Sequence, residues 1–81
     1  MDLRLSAHAE VMLKERNIPE EWVRHTIEQP DWQEVENDDN SHYFKSIPEY
    51  DERVLHVVVN RGVSPPVVVT VFFDRGARRP E

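Results

Sequence analysis

The chain has 81 residues, no cysteine and a formal net charge of -6, with 32 % charged residues. That length allows one small domain, near the limit at which a single core holds without staples, and the missing cysteines exclude a disulfide framework or a thiolate zinc site. The negative charge opposes a general nucleic-acid binder, because non-specific phosphate affinity comes mainly from Lys and Arg releasing counterions. The average conceals a division, however: residues 1–52 carry five basic and 14 acidic side chains, whereas residues 53–81 carry five Arg against Asp74 and Glu81. The front is therefore -9 and the back +3.

In chain order, Ser6 stands where a helix N-cap is expected, and Leu5, Ala9, Met12, Leu13 and Arg16 follow at the spacing of an amphipathic stripe, which predicts a helix over residues 6–16. Asn17 suits the left-handed residue that ends helices, with Ile18 folding back as its hydrophobic contact. Pro19 opens a second helix over residues 19–29, Glu20 and Glu21 complement its dipole, and Pro30 ends it. Ile18, Trp22, Val23, Thr26 and Ile27 supply its buried side.

From Asp31 the period turns from helical to alternating. Residues 32–36 read as a weak strand, 37–40 as a turn and 41–47 as a second strand, so the two form a hairpin. Tyr43, Lys45 and Ile47 point one way in it, and His42, Phe44 and Ser46 the other. The runs 54–60 and 66–73 are dense in β-branched residues and flank turn chemistry at Asn60-Arg61-Gly62-Val63-Ser64-Pro65. They predict a central antiparallel pair buried on both faces, in which His56 and Thr70 are the polar residues to be explained.

The expected architecture is a single α+β domain over residues 1–81, ordered over about 5–75, with residues 77–81 a loose tail. Two N-terminal helices pack on one face of a four-stranded antiparallel sheet, in the order ααββββ, leaving the opposite face for a ligand. No apolar run approaches the roughly 20 residues of a membrane span, and a cytoplasmic location is expected.

Several residues carry potential chemistry. His8 lies in the first helical turn, where the dipole favours a neutral ring, and Arg16 follows two turns later on the same side. Tyr43 and Lys45 share a strand face and could stack a base and hold a phosphate. His56 is a candidate general base inside the central run, and Thr70 a candidate cross-sheet hydrogen-bonding group. Arg53 begins one central strand and Arg75 follows the other, so antiparallel pairing brings them together as an anion site. For each residue the plain alternative is structural: a packed helix-end histidine, a helix-end tie, a half-buried strand ring, a satisfied core histidine or a solvated edge charge. His8, His25, His42 and His56 lie 17, 17 and 14 positions apart, with no two at i, i+4 or i, i+2, which argues against a metal site. No cofactor is expected.

His8-Ala9, Arg16 eight residues after the histidine, and Ile18 resemble the opening of the family catalogued as domain of unknown function 4258. Pro30, Tyr43, Lys45, the apolar run 54–59 and the ending Val69-Thr70-Val71-Phe72 extend the resemblance over roughly residues 5–73. Met12 and Asn17 stand where that family commonly has a basic residue and a glycine. The family is similar in layout to the RelE and BrnT type of bacterial toxins, which implies a toxin-like fold, RNA binding and metal-independent endoribonuclease activity. By that resemblance His8 or His56 would act as the base, Arg16, Lys45, Arg53, Thr70 and Arg75 would hold RNA, Tyr43 would stack a base, and an antitoxin-like protein would be the partner. The alternative is a non-catalytic interaction module using its acidic helical face or an open strand edge.

Overall fold

A computed structural model of the chain describes residues 3–36 and 39–77. The elements are β1 (Arg4–Leu5), α1 (Ala7–Glu15), α2 (Glu20–Glu28), β2 (Trp32–Val35), β3 (Asn40–Ile47), a 3-10 turn (Pro48–Tyr50), β4 (Arg53–Asn60) and β5 (Val67–Phe73). They form one five-stranded sheet in the order β1-β5-β4-β3-β2.

The helices end as their sequences dictate. Ser6 Oγ accepts the Ala9 amide at 3.0 Å, capping α1. At the other end Asn17 adopts φ 54°, the Ile18 amide reaches the Leu13 carbonyl at 2.9 Å and the Asn17 amide reaches that of Lys14, a Schellman closure. Pro19 serves as the N-cap of α2 rather than its first residue, and Thr26 Oγ1 donates to the Trp22 carbonyl at 2.7 Å. Ala9 and Leu13 of α1 and Val23, Thr26 and Ile27 of α2 are buried against the sheet. On the sheet they meet Tyr43, Ile47, Leu55, Val57, Val59, Val68 and Val71, which together make the core.

The strands 32–73 meander as expected, and β4 and β5 lie side by side, antiparallel, with Val57 opposite Val71. The expectation of four antiparallel strands is corrected. A fifth strand, β1, pairs parallel with β5, Arg4 opposite Val67 and Leu5 opposite Val68, so the sheet is mixed. Leu5, read as the start of the helical stripe, is instead a strand residue. A two-residue strand has no period of its own, and its pairing partner lies some 60 positions away, so local pattern gave no sign of it. Its anchor is Ser6, whose amide donates to the Val68 carbonyl at 2.9 Å and whose hydroxyl donates to that of Val69 at 3.1 Å. Val69 is the extra residue where the β4–β5 register shifts between Val58 and Val59. Part of the expected 37–40 turn and residues 78–81 of the expected tail lie outside the described residues.

Ser6 thus ties three things with one side chain: the α1 cap, the end of β1 and the bulge of β5. Ser6→Ala removes a cap and a half-buried hydrogen bond and is expected to cost about 1–2 kcal/mol. Thermal unfolding should read this as a Tm lowered by roughly 5–15 °C; an unchanged Tm would show that the bulge carbonyl finds another donor.

Candidate functional site

Strand alternation puts His42, Phe44, His56, Val58, Thr70 and Phe72 on the side of the sheet away from the helices, because their neighbours Tyr43, Leu55, Val57 and Val71 fill the core. Four rings cross that side from strand to strand. Trp32 stacks on Phe44 at 4.8 Å and 4°, Phe44 meets His56 at 4.2 Å, and His56 meets Phe72 at 4.7 Å. His56 is 9 % exposed within this row, so its ring nitrogens need partners inside the protein.

Both have one. His56 Nδ1 lies 3.0 Å from Asp74 Oδ2, and His56 Nε2 lies 2.7 Å from Nδ1 of His42, its diagonal neighbour on β3. The carboxylate can only accept, so Nδ1 of His56 carries the proton toward Asp74, its Nε2 accepts, and His42 Nδ1–H donates to it. His42 Nε2 lies 3.1 Å from Glu36 Oε1, at ion-pair distance but without hydrogen-bond alignment, and is buried. The result is a chain Glu36, His42, His56, Asp74. Burial pushes the His56 pKa below its ordinary value of 6.5; the Asp74 hydrogen bond opposes this and His42 adds to it. His56 is therefore a neutral ring at neutral pH.

The second feature lies where β4 begins and β5 ends. An open cleft of about 620 Å³ there is lined by residues from three stretches of chain: Glu15, Arg16 and Asn17 at the end of α1, residues 50–54, and residues 73–75 with Ala77. Arg16, Arg53 and Arg75 are all on its wall. Antiparallel pairing of β4 with β5 carries Arg53 and Arg75 to the same end of the sheet, and the Schellman turn after α1 adds Arg16 to the same wall. Arg53 sits over the Tyr50 ring at 5.2 Å, and Phe73 stacks on that ring at 4.6 Å. None of the three guanidiniums forms an ion pair with a described residue. Of the four carboxylates on the wall, Glu52 accepts from Ser46 Oγ at 2.7 Å, and Asp74 accepts from His56 and from the Gly76 amide at 2.9 Å. Asp51 and Glu52 both hold left-handed backbone, φ 55° and 58°, a strained conformation in side-chain-bearing residues.

The other candidates lie elsewhere. His8 is exposed on α1 and is brought to neither feature. Tyr43 is 2 % exposed, its ring in the core and its hydroxyl taken by Arg61, so it has no face for a base. Lys45 Nζ donates to the Gln29 carbonyl at 3.0 Å, closing the end of α2. Thr70 sits opposite Val58 on the ring side of the sheet. No sequence pattern assigns His42, Glu36 or Asp74 to a chain with His56. Alternation already placed His42 on the face of Phe44, but bringing it to His56 required the β3–β4 register.

Among the described residues no group of three or more His, Cys, Asp or Glu is placed to hold a metal ion, and no helix is long and apolar enough to cross a membrane. No curated protein and no solved structure gives a significant match to the chain. A family model does, that of a domain of unknown function, DUF4258, over residues 5–73. With 69 of 81 positions matched, from β1 to the end of β5, the chain belongs to the DUF4258 family.

Proposed function

We propose that this domain is an RNA-binding protein of the toxin-like type that grips a phosphate in the Arg16–Arg53–Arg75 cleft. The observation that carries the reading is the convergence of three arginines from separate segments without an ion pair among the described residues, on a wall that also holds four carboxylates. A guanidinium kept free beside available acids is preserved for an external anion, and its planar fork suits phosphate. The Phe73, Tyr50 and Arg53 stack at the rim offers a flat surface to a base next to that phosphate.

The net charge of -6 limits the ligand to a short segment, one or two phosphates deep in the cleft, because the rest of the surface repels a long polyanion. Imidazole-based cleavage finds less support. Both nitrogens of His56 and Nδ1 of His42 are engaged, and His42 Nε2 is buried, so neither ring offers a nitrogen to a 2'-hydroxyl. Binding, rather than strand scission, is what this geometry favours.

A protein-interaction reading rests on one feature, the outer edge of β2. It is the last strand of the sheet, and Val35 on it is 69 % exposed, so a partner strand could extend the sheet there.

Binding of a single-stranded oligoribonucleotide of about eight nucleotides, followed by fluorescence anisotropy, tests the cleft. Arg53→Ala and Arg75→Ala should each weaken binding about tenfold and lower the salt slope by about 0.7, whereas Lys45→Ala should leave both unchanged. Equal affinity in a variant lacking all three cleft arginines would overturn the reading. Inducible expression of the intact chain should slow bacterial growth, and the Arg53→Ala, Arg75→Ala double variant should relieve it; undisturbed growth at high soluble expression would argue against a toxin-like role.

A further inference from the structure

We propose that His42 and His56 form a proton-sharing pair that holds three ring protons at neutral pH, and that Asp74 links this charge to anion occupancy of the arginine cleft. The inference deepens the phosphate-cleft reading and rests on it for the second half.

Proton count follows from the contacts. Asp74 Oδ2 accepts from His56 Nδ1, so that nitrogen is an N–H. Glu36 Oε1 stands 3.1 Å from the buried His42 Nε2 without hydrogen-bond alignment, and its charge favours a proton there over a lone pair. Between the two facing nitrogens, His42 Nδ1 and His56 Nε2, 2.7 Å apart, one proton fits and two do not. Two hydrogen-bonded contacts take two protons and the carboxylate facing His42 Nε2 draws a third, one more than two neutral imidazoles carry, which makes the pair a monocation between two carboxylates. With two protons, one contact sets a lone pair against an anion or another lone pair. With four, two N–H groups collide. The charged groups around the pair are Glu34, which faces His42 across β2–β3, Glu36 just past β2, and Asp74 just past β5. No Lys or Arg among the described residues bonds to either ring, and the helices lie on the far side of the sheet. The surroundings favour one extra proton.

Asp74 belongs to both features. Its Oδ2 accepts a hydrogen bond from His56 Nδ1 and its Oδ1 one from the Gly76 amide, while the residue itself lines the cleft beside Arg75. An anion entering the cleft is repelled by this carboxylate, and proton uptake behind it offsets that repulsion. By linkage, anion binding then draws protons onto the pair, and protons on the pair tighten the anion. A metal ion between the rings is disfavoured by the same distance: two nitrogens on one tetrahedral ion stand roughly 3.3 Å apart, given metal–nitrogen bonds near 2.0–2.1 Å.

Nitrogen-15 NMR of the ring nitrogens in the intact chain tests the count without any ligand. At about pH 7 three of the four nitrogens should report N–H character, and two neutral rings titrating independently would overturn the proposal. Stability gives a second readout. The His56 pKa is lowered in the folded state, so the unfolded chain binds more protons below 6.5, and the contribution is full above that value and lost as pH falls. Chemical denaturation should show this acid loss in wild type and less of it in His56→Gln; equal loss in both would count against the pair.

Sulfate keeps its charge over the histidine range and serves as the anion probe. Its affinity, read from amide shifts of Arg53 and Arg75, should rise about fivefold or more between about pH 8 and about pH 5.5, and His42→Gln should flatten that rise while sulfate still binds. Binding of constant strength in wild type would overturn the coupling alone. No binding at either pH would overturn the coupling together with the phosphate cleft, and tightening by added zinc in place of protons would replace the shared proton with a metal.

Discussion

Strand β4 has no free side. Helix α2 and the core cover one face, the ring row covers the other, and β3 and β5 take both edges, so residues 55–59 are all buried. A valine there needs nothing further. A histidine there needs two hydrogen-bond partners, because an unsatisfied buried nitrogen costs about 1–3 kcal/mol. His56 meets that demand by recruiting one residue from each neighbouring strand's line: His42 from β3 and Asp74 from the end of β5. The polar chain on the ring side of the sheet is the consequence of placing one titratable group in the most enclosed strand.

The same demand shapes the cleft. Asp74 can reach His56 because the chain leaves β5 at Phe73, where the Asp74 amide still donates to the Val54 carbonyl and extends the ladder one step. Its other oxygen then takes the Gly76 amide and turns the chain, which puts Arg75 on the cleft wall opposite Arg53. At the start of β4 the left-handed pair Asp51 and Glu52 makes the tight return that positions Arg53 over Tyr50. Backbone strain, a satisfied carboxylate and an aromatic stack thus surround three arginines that make no ion pair among the described residues, and strain tends to persist where a site requires it.

What could be read from the sequence was local. Caps and turn residues marked both helices, Asn17 and Ile18 in particular, and the valine-dense runs marked β4 and β5 together with their pairing. From that pairing Arg53 and Arg75 could be brought together. Arg16 could not be added to them, because the path from the end of α1 to the end of the sheet depends on how α1 lies across β5. β1 was invisible for want of a period. Tyr43 and Lys45 were correctly placed on one face, but alternation alone does not say which face meets the helices, and they proved to be the inward pair. Alternation put His42 on the same face as Phe44, and only the residue-by-residue register with β4 brings it to His56.

Carboxylates beside an anion site look self-defeating until their partners are counted. Glu52 is bonded to the Ser46 hydroxyl and Asp74 to an imidazole and an amide, so the carboxylate oxygens in these bonds already have hydrogen-bond donors before any ligand arrives. The arginines have no such bonds among the described residues. An electrostatic field built this way would discriminate: under the proposed function it accepts a single phosphate at the guanidiniums and resists the long polyanion that a uniformly basic surface would attract. On the proposed reading an acidic protein retains a phosphate site in this way, and the histidine pair behind Asp74 would set how strongly that carboxylate opposes the ligand.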